Sequence, residues 1–302
     1  MMFATRTDLA MENLGADSSF PGVDVHRWEE SDVQLSEVVI RTEEAARSLG
    51  KPCGSYLTLE CRLLREHDPD ARIAMANLLG EELSRMLAPS DDAPVLVVGL
   101  GNRSVTPDAL GPASIDKTLV TRHMLESEYA QSGMRSVCAI APGVLGVTGI
   151  ETVEMVESLT HKLHPRAVLC IDSLAARDSG RIGCTVQISN TGIQPGSGVG
   201  NHRRPLTKET LGVEVIAVGV PTVIYAATLA RDAFALLSGD GGHEEALSSM
   251  EQELLGTDLG NLIVTPRDID AIVKNCATLI AGGINRALQP SLTAEEIAQM
   301  MD

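Results

Sequence analysis

The feature that most constrains this chain is an unbroken apolar run, Pro94-Val95-Leu96-Val97-Val98, that ends in Gly99-Leu100-Gly101-Asn102. A run with no polar alternation reads as a strand buried on both faces, which is the habit of parallel sheets covered by helices. The glycines let the backbone turn tightly where the strand ends. An acid, Asp108, follows in the loop Val105-Thr106-Pro107-Asp108-Ala109-Leu110-Gly111-Pro112. Open α/β sheets gather their ligands at that edge.

Further apolar runs repeat the pattern. Strands are predicted over Val95 to Leu100, Ser136 to Ala141, Ala167 to Ile171, Cys184 to Ile188 and Val213 to Val218. Helices are predicted over Asp68 to Leu87, Ser114 to Leu125, Gly149 to His164, Thr222 to Leu237, His243 to Leu255 and Pro266 to Leu288. The alternation predicts an α/β fold with a mostly parallel central sheet flanked by helices. One exception is expected: Ile182 to Ser189 follows its predecessor too closely for a crossover, so it reads as an antiparallel neighbour or an edge. Short strands are also expected over Ser36 to Arg41 and Ser55 to Glu60. Residues 1–35 are polar and read as an extended, partly disordered N-terminal arm, and residues 36–302 as one domain.

Composition narrows the function. The chain of 302 residues is 44% hydrophobic but only 2% aromatic, so its core is built from Val, Leu, Ile, Ala and Met. A formal net charge of −17 argues against direct nucleic-acid binding and against docking on anionic membranes. No apolar run reaches the ~20 residues of a membrane span. The six cysteines form no C-x-x-C pair and read as reduced thiols of a cytoplasmic protein.

Asp172 closes the run Ala167-Val168-Leu169-Cys170-Ile171, so it is expected at the same sheet edge as Asp108. If the two strands are neighbours, two carboxyls converge. They cannot easily both ionise, so one keeps a proton while the other activates water. Each acid could instead cap the following helix. Asp178-Ser179-Gly180 matches the triplet of pepsin-like proteases, but those are all-β and carry an apolar pair before the Asp; here it reads as a turn. There is no G-x-S-x-G elbow, because Pro195 stands two residues before Ser197, and no H-E-x-x-H. His161 and His164 sit at a predicted helix end and read as dipole partners rather than metal ligands. Gly99-x-Gly101-x-x-Ser104 lacks the third glycine of a dinucleotide fingerprint. Pro195-Gly196-Ser197-Gly198-Val199-Gly200-Asn201-His202-Arg203-Arg204 puts a basic spot on an acidic chain; it could hold a substrate carboxylate or an oxyanion, or be a plain surface loop.

Together these segments resemble the germination protease family of spore-forming bacteria. The matching stretches include Arg6-Thr7-Asp8-Leu9-Ala10, Val97 to Asn102, Val105 to Pro112, Pro142 to Thr152, Ile171 to Arg177, Gln187 to Ile193, Pro195 to Asn201, Leu206 to Gly212, Gly219 to Val223 and Val264-Thr265-Pro266. The resemblance implies a fold related to hydrogenase-maturation proteases and a homotetramer in the cytoplasm of the spore core. It implies an atypical aspartic endopeptidase that degrades small acid-soluble spore proteins; no cofactor or metal is expected. Asp108 and Asp172 match its catalytic acids; Asn102, Gly196, Gly198, His202 and Arg203 are read, from the loops they stand in, as substrate-binding or supporting residues. It also implies a zymogen that removes about residues 1–8 by cutting between Asp8 and Leu9. Ile224-Tyr225 stands where the family is expected to carry Val-Asp, and the stretch from Leu237 to Gly260 looks short. A metal-dependent peptidase on the same fold and a catalytically impaired peptide-binding homologue are the alternatives.

Overall fold

The computed structural model describes residues 7–14, 20–87, 93–125, 127, 130, 132–196, 203–238, 249, 253, 257 and 262–301. Among them a nine-stranded sheet runs in the order β1-β2-β3-β7-β8-β6-β4-β5, with β9 paired to β8. The strands are β1 (Val23–Glu30), β2 (Val33–Ile40), β3 (Gly54–Glu60), β4 (Val95–Gly99), β5 (Val137–Ile140), β6 (Ala167–Ala176), β7 (Thr185–Ser189), β8 (Glu214–Tyr225) and β9 (Ile263–Val264).

Half of this sheet is as expected. Strands β5, β4, β6 and β8 are mutually parallel. Their apolar runs are continuous because both faces are covered. Val95, Val97, Leu169 and Ile171 face one core, built with helices α2 (Pro69–Met86) and α8 (Ile269–Leu288). Leu96, Val98, Val168 and Cys170 face the other, with Val153 and Val156 of α5 (Thr152–Leu163). Helix α2 starts where Asp68 accepts the N–H groups of Asp70 and Ala71, with Pro69 in the first turn. It crosses α8 closely at Gly80 and Gly283, where a Cβ on Gly80 would stand 3.0 Å from the Gly283 carbonyl oxygen.

The other half corrects the expectation of a mostly parallel sheet. β1, β2, β3 and β7 are antiparallel, and β7 also runs antiparallel to β8, so the sheet is mixed. Ile182 to Ser189 thus contains an interior strand, not an edge. Residues 23–30, read as part of a loose arm, form the edge strand β1. Its charges disguised it: Asp24, His26, Arg27, Glu29 and Glu30 are the polar side chains that keep an outer strand from pairing with another chain.

Two helix predictions also yield. Residues 222–225 continue β8 instead of starting a helix, because Thr222, Val223 and Ile224 are β-branched and β6 extends beside them as far as Ala176. The helix follows as α7 (Ala226–Ser238). The helix expected over Ser114 to Leu125 is the short α3 (Leu110–Ile115). Ser114 and Thr118 turn their hydroxyls back on the carbonyls of Leu110 and Ser114, and Thr121 leaves to bond Arg135 O and Val137 N beside β5. Of the helix expected over His243 to Leu255 only residues 249 and 253 are described, and both are helical.

Candidate active site

Asp108 is placed by its loop. Asn102 N–H donates to the Asp108 carbonyl at 2.9 Å, and Asp108 N–H to Val105 O at 2.8 Å. Gly101 sits at φ 109° with its Cα so close that a Cβ would fall 2.0 Å from the Asp108 carbonyl oxygen. Only glycine allows this approach. Asn102 also accepts from Ser104 N–H through Oδ1, so it shapes the loop and does not wall the cavity.

Asp172 lies within β6, which runs five residues past Ile171 to Ala176, and is 6% exposed. β4 and β6 are adjacent, so the two acids do meet, in a cavity of about 670 Å³. Burial pushes the Asp172 carboxyl well above its ordinary range, and the charges of Asp108 and Asp8 push it further; Ser173 N–H and Arg203 oppose them. Asp108 is also raised, chiefly by burial, against the Asn102 backbone and Arg203. One of the pair therefore holds a proton more readily than the other.

The cavity has a regular floor. Asp172 stands opposite Gly219 of β8, and Gly219 opposite Gln187 of β7. Directly paired residues share a face of the sheet. The acid and the amide thus flank a residue without a side chain, about 10 Å apart by two strand spacings.

The N-terminal segment lies in this cavity. Beyond Ile171, β6 has parted from β4, and residues 7–9 take the vacated edge. Asp8 N–H donates to Ala175 O at 2.9 Å, and Ala175 N–H donates to Asp8 Oδ2 at 2.9 Å. Leu9 is fully buried among Leu174, Ala176, Ile182 and Ile224. Glu12 anchors the segment by accepting Arg177 N–H and Asp178 N–H and pairing with Arg181.

Of the basic loop, Gly196 lines the cavity and Arg203 faces both acids; Gly198 and His202 lie outside the described residues. Asp178-Ser179-Gly180 is a tight turn, with Asp178 accepting Gly180 N–H. Tyr225 is buried against Ala175 and Val223, behind the residue that receives Asp8. Among the described residues no three His, Cys, Asp or Glu side chains are grouped to share an ion.

Two side chains in the cavity were missed. Gly50 caps α1 (Glu43–Leu49) in the left-handed conformation, and the next residue, Lys51, lines the cavity wall. Lys51 Nζ donates to the Asp8 carbonyl at 2.9 Å, and Gln187 Nε2 to the same oxygen at 3.0 Å. Burial pulls the Lys51 ammonium below its ordinary value, with Asp8 and Glu12 opposing. Lys51 stands in Gly50-Lys51-Pro52, a plain chain break between two expected strands, and Gln187 opens a stretch that matches the family without a role attached to it.

Residues 4–251 match the family model described as germination protease. The germination protease of Caldanaerobacter subterraneus subsp. tengcongensis is 42% identical over 321 residues, covering 100% of this chain and 99% of that protein. That of Clostridium perfringens (strain ATCC 13124) is 40% identical with both chains covered fully, and that of Priestia megaterium is 38% identical over 97% of this chain and 96% of its own. With a match that spans the acid loop, the acid strand and the docked N-terminus alike, this chain belongs to the germination protease family.

Proposed function

We propose that this peptidase is a self-processing endopeptidase of the germinating spore. It cuts its own chain between Asp8 and Leu9, then degrades small acid-soluble spore proteins. It acts from the spore core as a homotetramer, with residues 36–302 as its peptidase domain.

One observation carries this reading: Asp8, whose carbonyl forms the bond to Leu9, lines the same cavity as Asp108 and Asp172. The segment is bound as a substrate would be, extended along a strand edge. Its acid meets a backbone N–H and its leucine an apolar pocket. Water addition needs a base beside the carbonyl carbon and an acid beside the leaving nitrogen. A buried carboxyl pair, with Asp172 raised by burial and by the charge of Asp108, supplies both, one ionised and one protonated. Arg203 tempers that repulsion without coordinating either acid, and Asn102 supports Asp108 through the backbone.

Intact mass spectrometry of the purified full chain tests the reading. Loss of Met1 to Asp8 over time, together with discrete fragments of an added small acid-soluble spore protein, is expected. Asp108→Asn and Asp172→Asn should keep Met1 and leave the added protein whole. Turnover near the parent rate in either variant rejects the acid pair.

A further inference from the structure

We propose that Lys51 and Gln187 are the carbonyl-oxygen hold of this active site: they donate to the oxygen of the peptide bond under attack and carry the negative charge that water addition places on it. The inference rests on the reading above that Asp8–Leu9 is the bond cut, and adds groups which that reading does not use.

The geometry is that of an oxyanion site. Two side-chain donors converge on one carbonyl, that of Asp8, at 2.9 and 3.0 Å. Both are ordinary hydrogen-bond lengths to the resting carbonyl, so the donors are already in place when charge develops on that oxygen. The donors come from separate elements, so neither depends on the other for its position. Gln187 is oriented by its second amide atom, since Ala10 N–H donates to its Oε1 at 2.8 Å. That bond fixes which end of the amide faces the Asp8 carbonyl. It also ties the hold to the chain on both sides of the bond: Asp8 supplies the acceptor and Ala10 the donor. Gln187 stands across bare Gly219 from Asp172, so the group that holds the carbonyl and the acid share one row of the cavity floor.

The chemistry closes without another reactant than water. A water oxygen bonds to the Asp8 carbonyl carbon as a carboxylate takes its proton. The C=O π pair moves onto oxygen, where Lys51 and Gln187 donate. That pair then returns, the C–N bond breaks, and the Leu9 nitrogen takes a proton from the carboxylic acid. The products are a carboxyl at Asp8 and an amine at Leu9. A positive ammonium stabilises the oxyanion more than it does the neutral carbonyl, so Lys51 favours the transition state over the ground state. Lys51 is half-buried, and its ammonium donates to the carbonyl that hydrolysis would charge.

The same geometry would also serve a purely structural tether for the N-terminus, and kinetics separate the two. Lys51→Met, Lys51→Arg and Gln187→Leu are made in the full chain, with circular dichroism and melting used to retain only folded variants. The probe is a synthetic peptide of this chain's own sequence, Arg6 through Asn13, beside first-order release of the natural N-terminus. Lys51→Met should lower kcat by about 100-fold with KM nearly unchanged, because removal of one oxyanion donor acts on the transition state. Gln187→Leu should lose less, and Lys51→Arg should recover part of the loss. A kcat within about threefold of the parent in Lys51→Met, or a loss confined to KM, overturns the assignment. Asp172→Asn is run in parallel. If it turns over normally while Lys51→Met does not, the acid pair fails and the carbonyl hold stands; the converse result removes the hold and leaves the acids.

Discussion

The parallel and antiparallel halves of the sheet contribute unlike parts to one cavity. From the parallel half come Asp108, in the loop after β4, and Asp172, where β6 parts from β4; both faces of these neighbouring strands are buried. From the antiparallel half come Gln187, on β7, and Lys51, just ahead of β3. The first half supplies acid and base; the second holds the carbonyl and the N-terminal segment. Each half obeys its own packing rule, and the cavity lies on the seam where β7 meets β8. A catalytic site split this way depends on the pairing of the two halves, not on either alone.

The largest effect that would break this comparison is on the acids. Asp108→Asn and Asp172→Asn should each lower peptide turnover by about 10²–10⁴-fold, the usual worth of a positioned general acid or base. If Lys51→Met proved costlier than both, the antiparallel half would be the dominant one.

Next is the loop that aims Asp108. Gly101→Ala puts a Cβ against the Asp108 backbone at a φ of 109°, so the loop must move. Turnover should fall about 100-fold, as expected for a displacement of roughly 1 Å at a reacting group. Stability should fall by about 1–3 kcal/mol. Full activity with an unchanged melting temperature would show that the loop relaxes at no cost.

Thermal melts against pH sharpen the contrast further. Asp172 has a folded pKa raised above its ordinary 3.8 by burial, then by Asp108 and Asp8. Its stabilising contribution is therefore complete below about pH 4 and is lost as pH climbs through the folded value. Asp172→Asn, which imitates the protonated form, should gain in melting temperature over the parent as pH rises from 4 toward neutrality. A constant difference between the two chains would mean that Asp172 is already charged in the fold. The smallest effect is expected from EDTA, which should leave peptide turnover unchanged; a loss restored by a divalent ion would favour the metal-dependent alternative.

Much of the parallel half was legible. β4 and β6 announce themselves because a strand covered on both sides cannot afford polar alternation, and Asp108 and Asp172 stand out against those runs. In the antiparallel half β2, β3 and β7 were also legible, each within three residues of its observed bounds. What stayed hidden was β1, which carries the charges of an edge, and Lys51, in a Gly-Lys-Pro break; on the parallel side of the seam, β8 continues through Pro221 where a stop was expected. The N-terminus was the deepest misreading. Thr7 to Asn13 look like loose polar chain, yet Leu9 is fully buried and Asp8 is only 9% exposed. Nothing local dictates this: the segment is ordered by the free edge of β6 and by Gln187 and Arg181, all more than 150 positions away.

By itself the sequence determined the helix-covered parallel strands, the glycine turn after β4 and the two acids, because each follows from burial and backbone geometry within a few residues. Only the tertiary structure decided that the sheet is mixed, that Gln187 and Asp172 share a row across Gly219, and that Lys51 reaches the Asp8 carbonyl. Those relations join residues distant along the chain, and strand order and register across the seam, not local propensity, bring them together.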